Sequence, residues 1–146
     1  MKPEIHEYLK DKKANADSDR TERQWIAVED WAKASFHASF EACTGFGKTR
    51  VGTQAMELLR RNNPERKVLV VVPTVQLKTQ WEKLLKNLKQ NDYSQVIVIN
   101  SLIRRDWFTD LLILDECHRY AAETFSRVFT AVQYKFILGL TATMQR

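Results

Sequence analysis

The chain has 146 residues, 44% hydrophobic and 28% charged, with a formal net charge of +5. These are ordinary globular values for one domain with its own core, and the basic balance favours a polyanionic partner, nucleic acid above all. The sequence holds no apolar run long enough to span a bilayer and no charged-then-apolar leader, and Cys43 and Cys117 are too few for a disulfide framework, so a reduced, cytoplasmic chain is expected.

Residues 1–20 are highly charged. Pro3 suits a first helical turn, and Ile5, Tyr8 and Leu9 make a short apolar stripe. From Asp11 to Arg20 almost nothing is apolar, which predicts a short helix followed by a solvated linker. Residues 21–146 are then the main domain. A helix is expected over about Thr21 to Phe36, burying Trp25, Val28, Ala32 and Phe36. Gln24 lies near its start, and its amide offers both a donor and an acceptor to an adenine edge.

His37 to Cys43 alternates like a strand, with Ala38, Phe40 and Ala42 on one face. The stretch Ala42-Cys43-Thr44-Gly45-Phe46-Gly47-Lys48-Thr49 follows, and then a helical pattern of Val51, Ala55, Leu58 and Leu59. Strand, glycine-bearing loop, Lys-Thr and helix is the context of a phosphate-binding loop. Gly45 and Gly47 let the backbone turn its N–H groups toward an anion, and the helix start adds its positive dipole end. Lys48 reaches the β- and γ-phosphates, and the Thr49 hydroxyl is a Mg²⁺ ligand.

Lys67 to Val72 is a valine-rich run, continuously apolar after its lysine, as in a strand covered on both faces, and it ends at Pro73-Thr74. Leu77, Trp81, Leu84, Leu85 and Leu88 then form a helical stripe that leaves Lys78 and Gln80 aside. A strand from Gln95 to Ile99 leads to Asn100-Ser101, and another, Leu111 to Leu114, ends in Asp115-Glu116-Cys117-His118. The next helix is expected to bury Phe125, Val128, Phe129 and Val132, and a last strand, Lys135 to Leu140, stops at Thr141-Ala142-Thr143. Alternating strands and helices argue for a mainly parallel α/β sheet with helices on both faces and ligand-binding loops at its carboxyl edge.

Two acids at the end of a buried strand are costly unless positive charge joins them, and Mg²⁺–ATP supplies it. Asp115 then holds Mg²⁺, and Glu116 deprotonates the water that attacks the γ-phosphate. His118 is placed to hydrogen-bond the next strand end, where Thr141 and Thr143 are candidate partners. Cys117, flanked by acids, is expected to be a packing residue rather than a nucleophile.

Four blocks of the chain resemble, in order, motifs of the first RecA-like domain of superfamily 2 helicases and translocases. Ala42 to Thr49 is similar to motif I, and Pro73-Thr74 with Leu77, Gln80 and Trp81 to motif Ia. Asp115-Glu116-Cys117-His118 is similar to motif II in its DExH form, and Gly139 to Thr143 to motif III. The chain looks most like the DNA-directed groups: type III restriction motors, XPB-like helicases and phage relatives. The resemblance implies an ATP-binding motor domain that uses Mg²⁺ and works on nucleic acid, DNA over RNA. It implies that Gln24, Thr44, Gly45, Phe46, Gly47, Lys48, Thr49 and Arg50 bind the nucleotide and that Lys48 and Glu116 are catalytic. Metal falls to Thr49 and Asp115, coupling to His118, Thr141 and Thr143, and nucleic acid to Pro73, Thr74, Gln80, Asn100 and Ser101. The strand ending at Thr141 is expected between the phosphate-loop strand and the Asp115 strand. A monomer is expected, half of a motor that lacks the second RecA-like domain and the arginine finger it carries in the family. The alternative is a non-catalytic module that binds nucleic acid or a partner through the same fold. A small-molecule kinase fits poorly, because Glu-Cys-His after the aspartate has no role there.

Overall fold

The computed structural model describes residues 1–42, 47–61, 63–102 and 106–142, the side chains of 38–42, 125 and 142 aside. Five parallel strands form one sheet in the order β1-β5-β4-β2-β3. They are β1 (His37–Ala42), β2 (Val68–Val72), β3 (Ser94–Val98), β4 (Trp107–Asp115) and β5 (Val132–Ala142). The helices are α1 (Pro3–Ala14), α2 (Asp19–Lys33), α3 (Lys48–Arg60), α4 (Val75–Asn87), α5 (Ile99–Leu102) and α6 (Ala122–Ala131), with a 3₁₀ turn over Cys117–Arg119. β5 lies between β1 and β4, in the expected place.

Strand alternation sends the odd and even positions to two separate cores. Val68, Val70, Val72, Leu111, Ile113, Leu138 and Leu140 meet α1–α4 on one face. Leu69, Val71, Ile97, Leu112 and Leu114 meet Leu102, Trp107, Val128 and Val132 on the other. The stripe of α3 is buried as its spacing predicts, and so are Trp81 and Leu85 of α4.

Three expectations need correction. The charged stretch after Leu9 is not a solvated linker over residues 11–20. α1 runs on to Ala14, α2 begins at Asp19 behind a Ser18 cap that accepts from the Thr21 N–H, and only residues 15–18 connect them. Lys13 reaches Glu29 of α2 and Lys12 reaches Glu57 of α3, both at 2.8 Å, so the charges serve as docking contacts along the helix. Next, Phe129 is 40% exposed rather than buried, and Val132 opens β5 instead of closing a helix. α6 is only 10 residues long and turns straight into the strand, so its apolar stripe ends at Val128. Finally, β4 starts at Trp107, well before Leu111, because Trp107 and Thr109 pair with Val132 and Tyr134.

Candidate active site

The same alternation that divides the core places the acids. Asp115 continues the series Leu111, Ile113 and so faces α3 and α4, where it is 2% exposed. Trp81 of α4 donates its indole N–H to Asp115 Oδ2 at 2.7 Å. Lys48, the first residue of α3, brings its ammonium to 3.3 Å from Asp115 Oδ1 and pairs with Glu116 Oε1. Two carboxylates thus share one cation in a partly closed site. Such a group is stable only while its charges stay paired.

Glu116 leaves the strand in a left-handed conformation, φ 54° and ψ 39°. That bend lets one carboxylate serve both faces of the sheet: Oε1 meets Lys48, and Oε2 lies 3.3 Å from His118 Nε2. His118 Nδ1 is 2.6 Å from the Thr141 hydroxyl on β5. Thr141 faces away from Leu140, toward the 3₁₀ turn, because successive strand residues alternate. The contacts run without a break from Lys48 through Glu116 and His118 to Thr141.

Tyr120 is a site residue that motif reading missed. Its hydroxyl lies 2.9 Å from the Val71 carbonyl and 2.8 Å from the Asp115 carbonyl, tying the ends of β2 and β4 together. Burial drives its phenol pKa upward, so it stays a neutral donor. An aromatic residue just past a catalytic-looking turn was the available signal.

Gln24 is 4% exposed, with its Nε2 3.5 Å from the Gly47 carbonyl. Gly47 has φ 83°, and a Cβ there would stand 2.6 Å from Gln24 Nε2 and 3.2 Å from Arg20 Nη2. Arg20 was missed as well. It precedes Gln24 by one helical turn, which puts both on the same face of α2. Thr49 is half-buried in the first turn of α3, and Arg50 is exposed. Cys43, Thr44, Gly45, Phe46 and Thr143 lie outside the described residues.

Pro73 and Thr74 follow β2, and Asn100 and Ser101 sit in α5 directly after β3, so both pairs reach the same carboxyl edge. Asn100, Ser101 and Gln80 are exposed. The Thr74 hydroxyl caps α4, accepting from the Leu77 N–H at 3.2 Å. Cys117 is half-buried against the α5–α6 core, and burial raises its thiol pKa, followed by the charge of Asp115.

Asp115 Oδ1 is buried and has no hydrogen-bond partner among the described residues, only the ammonium of Lys48 nearby. Among those residues no three His, Cys, Asp or Glu side chains cluster to cage a metal. A single open carboxylate, with Thr49 following Lys48 in the first turn of α3, suits Mg²⁺ of the kind held partly by substrate phosphates.

A parallel sheet in this order, with Lys48 facing acids two strands away, is that of a RecA-like domain. The model of the res subunit of type III restriction enzymes matches residues 18–107 and 100–146, and the chain belongs to that family. No curated protein sequence matches the chain. Three solved structures are similar in fold. The UvsW helicase of bacteriophage T4 has a TM-score of 0.67 at 19% identity, covering 81% of this chain and 50% of that one. The Sulfolobus solfataricus SWI2/SNF2 ATPase core, solved with double-stranded DNA, scores 0.68 at 18% identity over 90% of this chain and 33% of that one. A nuclease-deletion mutant of the Type ISP restriction-modification enzyme LlaGI, solved with a DNA substrate mimic, scores 0.62 at 21%, with 83% and 17% covered. The chain therefore spans half or less of each of these proteins.

Proposed function

We propose that the chain is the ATP-binding motor domain of a DNA helicase or translocase, with residues 21–146 as its RecA-like unit and α1 as an added brace. The observation that carries this is the Lys48 ammonium held between Asp115 and Glu116 at the carboxyl ends of β1 and β4. An arriving triphosphate offers Lys48 a stronger partner than the carboxylates. With Lys48 turned to the phosphates, Asp115 and Thr49 would be the residues to hold Mg²⁺, which would supply charge neutralisation at the transferring phosphoryl group. Glu116, released from its ion pair, accepts a proton from the attacking water. Any shift of Glu116 is felt by His118 and, through its hydrogen bond, by Thr141 on β5, which is how nucleotide state would reach the rest of a longer protein. Pro73, Thr74, Gln80, Asn100 and Ser101 would meet nucleic-acid phosphates beside this site. The DNA or DNA mimic bound in two of the similar structures and the net charge of +5 support DNA as the track. In the whole protein a second RecA-like domain would add the arginine that completes phosphoryl transfer.

Titration calorimetry with Mg–ATP tests the reading. Lys48→Ala should weaken ATP binding by at least about tenfold, the size of one charge-assisted contact. Glu116→Gln should keep binding and remove whatever hydrolysis the chain shows. Equal ATP affinity for the wild type and Lys48→Ala overturns the assignment.

A further inference from the structure

Gln54 interrupts the buried side of α3. It stands between Val51 and Ala55 and is 4% exposed. A primary amide at such a position costs free energy unless it is hydrogen-bonded. Its Nε2 points at Gln24 Oε1, 3.4 Å away. Gln24 in turn directs its Nε2 to the Gly47 carbonyl at 3.5 Å.

These two contacts have a fixed direction. A backbone carbonyl only accepts, so the end of Gln24 facing Gly47 must be its NH₂. The other end is then an oxygen, and it needs a donor beside it. Gln54 supplies that donor. In doing so it leaves its own Oε1 without a partner among the described residues. Gln54 is therefore turned to suit Gln24 rather than its own surroundings.

We propose that Gln54 is a positioning residue for nucleobase selection, locking the side-chain amide of Gln24 in one of its two orientations. This rests on the nucleotide reading above, in which Gln24 lies against the base. An amide has two acceptor sites and two donor hydrogens, so the internal contacts are compatible with reading a base edge as well. Held one way round, it presents its oxygen and its NH₂ in set places. That order matches a base edge with an exocyclic amino donor beside a ring-nitrogen acceptor. It opposes an edge on which a carbonyl replaces the amino group. An amide free to turn over would suit both, and selectivity would fall.

The experiment measures dissociation constants of Mg–ATP and Mg–GTP for the whole chain by calorimetry, with melting curves to confirm folding. The wild type should prefer ATP. Gln54→Leu should retain triphosphate binding and lose about five- to tenfold of that preference, the size of one neutral hydrogen bond. Gln54→Glu keeps the shape but presents an acceptor to Gln24 Oε1, and it should lose at least as much. Either variant serves if the other fails to fold. If Gln24→Ala abolishes the preference while both Gln54 variants keep it, the positioning role is wrong and Gln24 still reads the base. A wild type without ATP preference, or a Gln24→Ala variant that keeps it, shows that Gln24 does not read the base and overturns this inference with it. Absence of nucleotide binding in the wild type overturns the proposed function and this inference together.

Discussion

On one face of the sheet, α1–α4 enclose a core that includes Leu9, Trp25, Trp31, Met56 and Trp81, all at most 5% exposed. On the other, a four-residue α5 and a ten-residue α6 cover a smaller cluster, and Phe129 of α6 is left exposed. The difference bears on the site. Asp115 belongs to the thick side, held by Trp81 and Lys48, whereas the His118–Thr141 contact belongs to the thin side. In the function proposed here, the groups that would hold phosphate and metal need a fixed frame. Groups that report a change need somewhere to move, and regions with few buried contacts open most readily. Glu116 stands where the two sides meet.

The largest expected effect compares two tryptophans. Trp81 and Trp107 are each buried and each donates an indole N–H, to Asp115 Oδ2 and to the Leu102 carbonyl respectively. Truncation to alanine should destabilise by about 3–5 kcal/mol. Trp81→Ala should lie at the top of that range, because it also strips a hydrogen bond from a buried carboxylate. Equal losses in guanidinium unfolding would break the contrast between the faces.

Gly52 sharpens it. A Cβ at this position would stand 2.7 Å from Trp81 Cη2 and 3.5 Å from Leu140 Cδ1. Glycine to alanine in a helix normally gains about 1 kcal/mol. Overpacking a tight core costs about 1–3 kcal/mol, and here the ring has nowhere to retreat. Gly52→Ala should therefore lower the melting temperature, and a stabilised variant would show that the thick side is loosely packed.

Cys117 probes the thin side. Its thiol is neutral at physiological pH, since burial and then Asp115 hold its pKa above the ordinary value. Cys117→Ala should lower stability by about 1 kcal/mol and leave ATP affinity unchanged in calorimetry. Loss of ATP binding would mean that this side carries more of the site than its packing indicates.

The smallest effect concerns the α1 brace. The hydrogen bond from Lys13, ahead of the opposing burial, holds the Glu29 carboxyl below its usual pKa. A depressed carboxylate contributes stability above its unfolded pKa and loses it as pH falls through the folded value. The pair should supply about 0.5–1 kcal/mol near neutrality, fading under acid conditions. Glu29→Gln should flatten the acid side of the stability profile by that amount, and an unchanged profile would assign the brace to Leu9, Tyr8 and the Lys12–Glu57 pair.

Strand and helix order, the helix that starts at Lys48, and the acidic strand end were legible because each is a local pattern of period and charge. The α1 docking and the reach of β4 back to Trp107 were not, since low apolar content reads locally as linker and only the unbroken apolar run from Leu111 reads locally as strand. In the fold the lysines find Glu29 and Glu57, and the β4 extension finds β5. Arg20, Gln54 and Tyr120 carry no motif. Their roles come from partners 27, 30 and 49 positions away in sequence at Gly47, Gln24 and Val71. Periodicity determined most of the residues that would be buried and which strand would end in the paired acids. Only the sheet order, with β5 between β1 and β4, decided that Glu116 would touch Lys48 and that His118 would reach Thr141, because contacts across strands depend on how chain segments far apart in sequence are laid side by side.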